Sequence, residues 1–391
     1  MTFLLSAGEA SGDTYGAQLI ASLRRLSPNA AFFGMGGEKM RAAGCELLID
    51  AKDVAVVGLV EVVMHLPGIY RRFNRFVGEA GRRKPDAAVL IDFPEFNLRL
   101  ARKLHELNIP VFYFVSPQIW AWRSGRVKQI RRYIRKMIVI FPFEQDFYRE
   151  HGVEVSYVGH PLAHAEPPRI SRQDFAAQYR LDDTQQWIGL LPGSRKREVR
   201  LNLPTMLQAA RRLQDEDEQG KYQYLLPVAS TLDRVWMQQQ ISNAHMSIPI
   251  HLTDNSRVAL KHCRAAIVAS GTATVETALA GTPFVVVYRL AALTWLLGRQ
   301  MVKLDTFAMP NLIAGRKIVP ELIQQDFTPE SILRELTDMI PEGPRRRQML
   351  ADLADVQRQL RDPANGEPPT GRAAREILGS LSTLPAPKTH G

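Results

Sequence analysis

The feature that most constrains the fold is an alternation repeated along most of the chain. Short apolar, β-rich runs recur at Thr2–Ser6, Ala30–Met35, Ala87–Phe93, Val111–Val115, Met137–Phe141 and Val155–Val158, with helical patterns such as Tyr15–Leu26 and Phe96–Leu107 between them. Strand-helix alternation of this kind predicts a parallel, doubly wound α/β sheet. A Pro-rich passage, Pro161 to Pro168, breaks the pattern, and a second series follows at Trp187–Leu191, Tyr224–Val228, Ile248–Leu252, Ala265–Ala269 and Pro283–Tyr288. Two α/β halves result, joined by a linker near 161–172. A ligand is expected in a crevice where the strand C-termini of the halves face each other. The expected limits are 1–165 for an N-terminal Rossmann-like domain and 166–343 for a C-terminal one. C-terminal helices are expected over 344–383, packing back on the N-terminal domain or exchanged in a dimer, with a tail at 384–391.

Composition narrows the function by exclusion. Cys45 and Cys263 are the two cysteines and form no CxxC or Cys/His spacing, which removes a disulfide framework and a structural zinc. The N-terminus reads as the first strand and not as a signal peptide. No run approaches the roughly 18 uninterrupted apolar residues of a spanning helix. The net charge of +10 is concentrated: between Gly68 and Lys136, sixteen Arg and Lys stand against five Asp and Glu. Such a face suits nucleic acid, anionic lipid or a phosphorylated substrate. No RNP-like strand or other nucleic-acid signature accompanies it, so no nucleic-acid partner is expected.

The candidate chemistry lies in loops that follow strands. Ser6-Ala7-Gly8-Glu9-Ala10-Ser11-Gly12-Asp13 opens a helix with small residues, so that a substrate can approach Gly8, Ser11 and the helix amides. A tight turn with Asp13 as helix cap is the plain alternative. Glu9 brings a carboxylate to the mouth of the crevice. Asp92, in Asp92-Phe93-Pro94-Glu95-Phe96-Asn97, is a candidate general base for a sugar hydroxyl, or else a cap for the next helix. Gln118 and Trp120, in Ser116-Pro117-Gln118-Ile119-Trp120-Ala121-Trp122-Arg123, suit sugar rings and acyl stems, unless the tryptophans are simply buried.

In the second half, Gly193, Ser194 and Arg195 make a candidate pyrophosphate clamp, because a planar guanidinium pairs bidentately with phosphate oxygens. No GK[ST] follows, so the loop is not a triphosphate cradle. Ser270-Gly271-Thr272-Ala273-Thr274-Val275-Glu276 begins another helix; Ser270, Gly271 and Thr272 face an anion, and Glu276 is placed to accept ribose hydroxyls. Asn311 and Gln324, in Met309–Arg316 and Val319–Gln324, suit sugar hydroxyls or a base edge, although ordinary turn chemistry explains them about as well.

Taken in order, S-A-G-E-A-S-G-D, I-D-F-P-E-F-N, S-P-Q-I-W-A-W-R, V-G-H-P-L, L-L-P-G-S-R, S-G-T-A-T-V-E and P-N-L-I-A-G-R resemble the lipid-A-disaccharide synthase family from Phe3 to Gln324. The resemblance implies a GT-B glycosyltransferase fold, two Rossmann-like domains with an intervening crevice. It implies transfer from UDP-2,3-diacylglucosamine to 2,3-diacylglucosamine 1-phosphate, giving a β-1,6-linked disaccharide 1-phosphate and UDP. Asp92, Glu9, Arg195, Glu276 and Asn311 fall on positions thought functional there. Inversion in a single displacement is expected, with Asp92 as base, Arg195 and the Ser270–Thr272 amides on the leaving UDP, and no cofactor or metal. His160 and His164 straddle Pro161 and do not share a helical metal face. A peptidoglycan-type N-acetylglucosaminyltransferase or a UDP-sugar epimerase is the alternative within the fold. Because both substrates are acylated, the expected site of action is an anionic membrane surface, peripheral on the inner face of the inner membrane. Val54–Tyr70, followed by Arg71, Arg72 and Arg75, is the candidate docking segment, or else core. The family also implies a homodimer with exchange of a C-terminal helix.

Overall fold

The structure, a computed structural model, describes residues 1–53, 59–122, 124–166, 168–217, 220–289, 306–361 and 366–383. The chain divides into two compact units, Met1–His164 with Leu360–Gly391, and Ala165–Gln359. The first part of the candidate docking segment, 54–58, lies outside the described residues, as do Arg123 and 384–391.

The first unit is one sheet of β1 (Thr2–Ala7), β2 (Ala31–Gly36), β3 (Glu46–Asp50), β4 (Ala87–Ile91), β5 (Val111–Phe114), β6 (Lys136–Val139) and β7 (Val155–Tyr157). The order is β3-β2-β1-β4-β5-β6-β7 and every pairing is parallel. Helices cover both faces of such a sheet, which is why β4 can bury all five of its residues. The direction of winding reverses between β1 and β4, and that switch point opens a crevice at the strand C-termini.

Helix α1 (Ala10–Leu26) buries Tyr15, Leu19, Ile20 and Leu23 on its sheet side. Its Asp13 does not cap its own helix. The carboxylate accepts from the amides of Gly37 (2.8 Å), Lys39 (3.1 Å) and Met40 (3.0 Å), capping α2 (Glu38–Ala42) instead. Four helices follow β3, β4, β5 and its loop: α3 (Leu59–Arg83), α4 (Pro94–Glu106), α5 (Ile119–Trp122) and α6 (Val127–Tyr133); α7 (Pro142–Glu150) follows β6. The C-terminal helix Pro369–Ser382 returns to this unit, burying Ala373, Ala374 and Ile377, and its Glu376 accepts from Lys136 (2.7 Å) and Ser156 (3.0 Å) on the last two strands.

The second unit repeats the plan with β8 (Gln186–Leu191), β9 (Tyr222–Pro227), β10 (Ile250–Thr253), β11 (Ala265–Ala269), β12 (Phe284–Tyr288) and β13 (Glu321–Ile323), ordered β10-β9-β8-β11-β12-β13. Its switch point lies between β8 and β11. The preceding helix Pro344–Leu360 is tied to this unit by Gln357, whose amide donates to the Ala278 carbonyl at 2.9 Å.

Gly34 shows how tightly the first sheet is built. A Cβ added there would stand 1.8 Å from the backbone oxygen of Leu5 on the neighbouring strand, and no rotamer change can move a backbone atom. Gly34→Ala is expected to destabilise the protein by about 3 kcal/mol or more, at the upper end for single substitutions. A urea midpoint close to that of the unsubstituted protein would show that the two strands can separate at little cost.

Candidate active site

Both motifs of the N-terminal unit meet at its switch point. The loop Gly8–Ser11 leaves β1, and Asp92 and Phe93 leave β4 beside it. A Cβ on Gly8 would lie 2.3 Å from the Phe93 ring, so glycine is required for the two loops to close on each other. Glu9 is the exposed N-cap of α1, and Ser11, also exposed, stands in its first turn.

Asp92 and Phe93 both have left-handed backbone, with φ of 48° and 50°. Consecutive left-handed residues other than glycine each cost about 1–3 kcal/mol, so the surroundings must hold them. The side chain of Asn97, fully buried, does this: Nδ2 donates to the carbonyls of Asp92 (2.7 Å), Ile91 (3.2 Å) and Ser6 (3.2 Å), while Oδ1 accepts from the Ser6 hydroxyl (2.6 Å). The buried Tyr113 hydroxyl donates to the same Asp92 carbonyl at 2.6 Å. The result turns Asp92 out of the strand direction at the C-terminal edge of the sheet. The candidate base was legible in the sequence; the Asn97 and Tyr113 that position it were read only as part of a motif or a strand.

After β5 the chain bends again at Val115, whose φ of 63° is rare for a β-branched residue. Ser116 is buried against the Tyr148 hydroxyl at 2.7 Å, and Gln118 is exposed. Trp120 packs edge-on against Phe143 at 5.0 Å and donates its indole N–H to Glu144 at 3.3 Å. Trp120 is therefore anchored by the protein itself. The other Glu144 oxygen accepts from the Phe141 amide at 3.2 Å, and Glu144 has almost no exposure. Burial pushes its carboxyl up to about 8 against those hydrogen bonds. The buried His160, 5.1 Å from Phe141, is pushed down to about 3, first by burial and then by His164.

In the C-terminal unit, Gly193, Ser194 and Arg195 follow β8, and Ser270, Gly271 and Thr272 follow β11, so these motifs too share a switch point. Gly193 and Gly271 have φ of 127° and 140°, conformations that side chains rarely adopt. Three side chains support the first loop. Glu198 accepts from the Ser194 amide (3.0 Å), the buried Asn202 donates to the Pro192 carbonyl (3.0 Å), and Thr231 donates to the Ser194 carbonyl (2.5 Å). Arg195 is largely exposed, 3.6 Å from Glu198. Arg195 and Gly271 are the N-caps of the helices Lys196–Asp215 and Thr272–Ala280, whose positive ends favour an anion. Glu276, half-buried, accepts from Ser256 at 2.9 Å, and burial raises its pKa.

Of the two roles the sequence left open for Asn311, the hydrogen bonds match the turn. The side chain is fully buried: its amide nitrogen donates to the Val319 carbonyl (2.9 Å) and to Glu321 (2.6 Å), while its oxygen accepts from the amides of Ile318 (2.7 Å) and Val319 (2.9 Å). All four hydrogen-bonding positions are occupied, so Asn311 fixes the loop to β13. Gln324 follows β13 with a φ of 54°. Among the described residues, no three His, Cys, Asp or Glu side chains gather as a metal site.

Two doubly wound units, each with small-residue loops at its switch point, are the GT-B architecture of glycosyltransferases and related UDP-sugar enzymes. The glycotransferase of kitacinnamycin superposes with a TM-score of 0.63 at 14% identity, covering 97% of this chain and 98% of that one. UDP-GlcNAc 2-epimerase from Neisseria meningitidis, bound to UDP-GlcNAc, gives 0.60 at 12% identity over 98% and 100%. At such identities the likeness shows the fold alone. The family described as lipid-A-disaccharide synthetase matches residues 3–367, and the chain belongs to that family. The lipid-A-disaccharide synthase of Koribacter versatilis is 54% identical over 96% of this chain and 97% of its own. Those of Acidobacterium capsulatum and Myxococcus xanthus are 49% and 43% identical, over 92% and 98% of this chain and 92% and 97% of theirs.

The Glu144 environment has a measurable consequence. With its folded pKa raised from 4.5 to about 8, the native protein holds a proton that the unfolded chain has released, and stability falls as pH rises through that window. His160, lowered from 6.5 to about 3, acts oppositely: its contribution is lost as pH falls below 6.5. The two effects oppose each other between 4.5 and 6.5, leaving the interval from 6.5 to about 8 to Glu144. The protein should therefore be less stable to urea at pH 8 than at pH 6.5, and Glu144→Gln should remove most of that difference. An unchanged difference in the variant would locate the titration elsewhere.

Proposed function

We propose that this chain transfers a 2,3-diacylglucosaminyl group from UDP-2,3-diacylglucosamine to the 6-hydroxyl of 2,3-diacylglucosamine 1-phosphate in one inverting displacement. The observation that carries the reading is the match to lipid-A-disaccharide synthases over nearly the whole length, at identities up to 54% among these relatives. Asp92 takes the proton of the attacking hydroxyl as its oxygen bonds to the anomeric carbon and the bond to UDP breaks. Glu9 and the exposed Ser11 face the acceptor end, on the loop that Gly8 allows to close against Phe93. Gly193, Ser194, Arg195 and the Ser270–Thr272 turn stabilise the charge that develops on departing UDP, and Glu276 takes ribose hydroxyls. Gln118 and Gln324 contribute polar contacts from neighbouring strand ends.

The direct test incubates the purified protein with both substrates and looks for UDP and disaccharide 1-phosphate by mass spectrometry. Asp92→Asn should lower turnover by roughly 100- to 10,000-fold with UDP binding nearly intact. Arg195→Ala should weaken UDP binding by calorimetry and slow turnover together. Near-normal turnover in the first variant would remove Asp92 from the mechanism, and unaltered UDP affinity in the second would do the same for the Arg195 clamp.

Acylated substrates must be drawn from a lipid surface, and the start of α3 with its flanking arginines suits that task. No described helix is long and apolar enough to cross a membrane. Tyr70 is 67% exposed, and Arg71, Arg72 and Arg75 are exposed beside it, each worth about 1 kcal/mol near anionic head groups. Replacing Val62, Val63, Met64 and Leu66 by Ser should reduce sedimentation with phosphatidylglycerol vesicles while the circular dichroism stays as before. Unchanged sedimentation, or loss of the fold, would place docking elsewhere.

A further inference from the structure

Helices α4 and α6 enclose a cleft of about 240 Å³ on the N-terminal unit. Its lining combines the apolar Pro94 and Leu98 with Arg99, Arg102, Arg126, Gln129 and Tyr133. Glu95 is the single carboxylate among the lining residues. Both of its oxygens accept from Arg126 Nη2, at 2.8 and 2.9 Å, and the Arg126 side chain is only 20% exposed. Arg102 pairs with Glu106 outside the cleft at 3.1 Å. Arg99, one turn from Glu95 on α4, forms no ion pair among the described residues.

Three guanidinium groups against one carboxylate leave a formal excess of +2 within the lining. A phosphate monoester carries about −1.5 to −2 at pH 7, whereas a phosphodiester head group carries a single charge. Planar guanidiniums also match phosphate oxygens bidentately, and the apolar Pro94 and Leu98 accept the carbon skeleton behind the phosphate.

The first lining residue of the cleft, Pro94, follows the candidate base by two positions. Glu95 is three residues after Asp92, so their Cα atoms are at most about 11 Å apart. Burial raises the pKa of the Tyr113 hydroxyl first of all, and two charges also act on it: the Asp92 carboxylate raises it further and the Arg126 guanidinium lowers it. The 6-hydroxyl and the anomeric phosphate of a glucosamine 1-phosphate lie at opposite ends of a single pyranose ring. A phosphate in the cleft and a hydroxyl at Asp92 are therefore compatible with one bound sugar.

We propose that this cleft binds the phosphate monoester of the acceptor, with Arg99 and Arg126 as its ligands and Arg102 adding positive potential. The assignment rests on the transferase reading above and deepens it, by giving the residues that select a phosphorylated acceptor. Glu95 holds Arg126 in place until the phosphate takes over its hydrogen bonds.

The test compares acceptor carrying the 1-phosphate with the same diacylglucosamine bearing a free anomeric hydroxyl, using the full chain. The double variant Arg99→Ala/Arg126→Gln should lose about 10- to 100-fold in kcat/KM on the phosphorylated acceptor, as for loss of charged hydrogen bonds. Its activity on the unphosphorylated acceptor, its KM for the UDP donor and its sedimentation with phosphatidylglycerol vesicles should stay as before. Glu95→Gln, which removes the competing carboxylate, should lower the KM for the phosphorylated acceptor. Equal losses on both acceptors, no loss on either, or a change confined to vesicle binding would each overturn the assignment, the last in favour of a lipid head-group contact. An unsubstituted protein that makes no disaccharide from either acceptor would sink the transferase reading itself and the cleft with it.

Discussion

The carboxamide of Asn97 is the interaction on which the N-terminal site depends. A parallel strand naturally delivers its next residue straight ahead, yet Asp92 and Phe93 turn into left-handed backbone at a cost of about 1–3 kcal/mol each. Hydrogen bonds worth about 0.5–1.5 kcal/mol apiece offset this only because several act together and because breaking one would strand a buried carbonyl. Asn97 reaches the ends of β1 and β4 at once, so the switch point and the bend are held by the same group. Tyr113 adds the second donor to Asp92 from β5. The strain is thus fixed by three adjacent strands and not by the loop that carries it.

The C-terminal unit reaches a similar end by other means. Glu198, Asn202 and Thr231 hold the loop after β8 from the following helix and from beyond β9, and Gly193 allows the turn. Preorganised donors of this kind need little rearrangement when charge develops near them, which is where electrostatic catalysis gains most. In both units the candidate site residue and the residues that fix its loop are different. Mutational effects on binding and on loop geometry can therefore be separated.

Much of this was legible in the sequence, because parallel strands buried on both faces are continuous apolar runs and their following loops carry small residues. Ala87–Ile91 and Ala265–Ala269 are of this type. β3 and β13 were missed for the converse reason: both are edge strands, Glu46–Asp50 is bounded by acids and Glu321–Ile323 is three residues long, so their apolar runs are only three and two residues. Side-chain roles were legible only in part. Asp92, Arg195 and the glycines stand out by residue type and place after a strand. Asn311 and Trp120 have equally suggestive types, but the first is consumed by its own loop and the second is anchored by Glu144. Glu144 reads locally as a helix-capping acid bonded to the Phe141 amide, and nothing local announces its burial or its bond to Trp120, which comes from another loop.

A common electrostatic device links the two anion-seeking regions. Ser194 and Arg195 are engaged by Glu198, and Arg126 by Glu95. Clustered donors and cations repel one another and lose solvation when brought together, so a nearby carboxylate lowers the energy of the ligand-free arrangement. The same carboxylate must be displaced or shared when phosphate arrives, which subtracts from affinity. Exchanging a carboxylate for a phosphate replaces one charged hydrogen-bond acceptor by another with more charge and more oxygens, so the balance still favours the ligand. Under the proposals above, a site built this way would bind phosphate with moderate affinity and release it readily, a property suited to an enzyme that must discharge UDP and a phosphorylated product after every turnover.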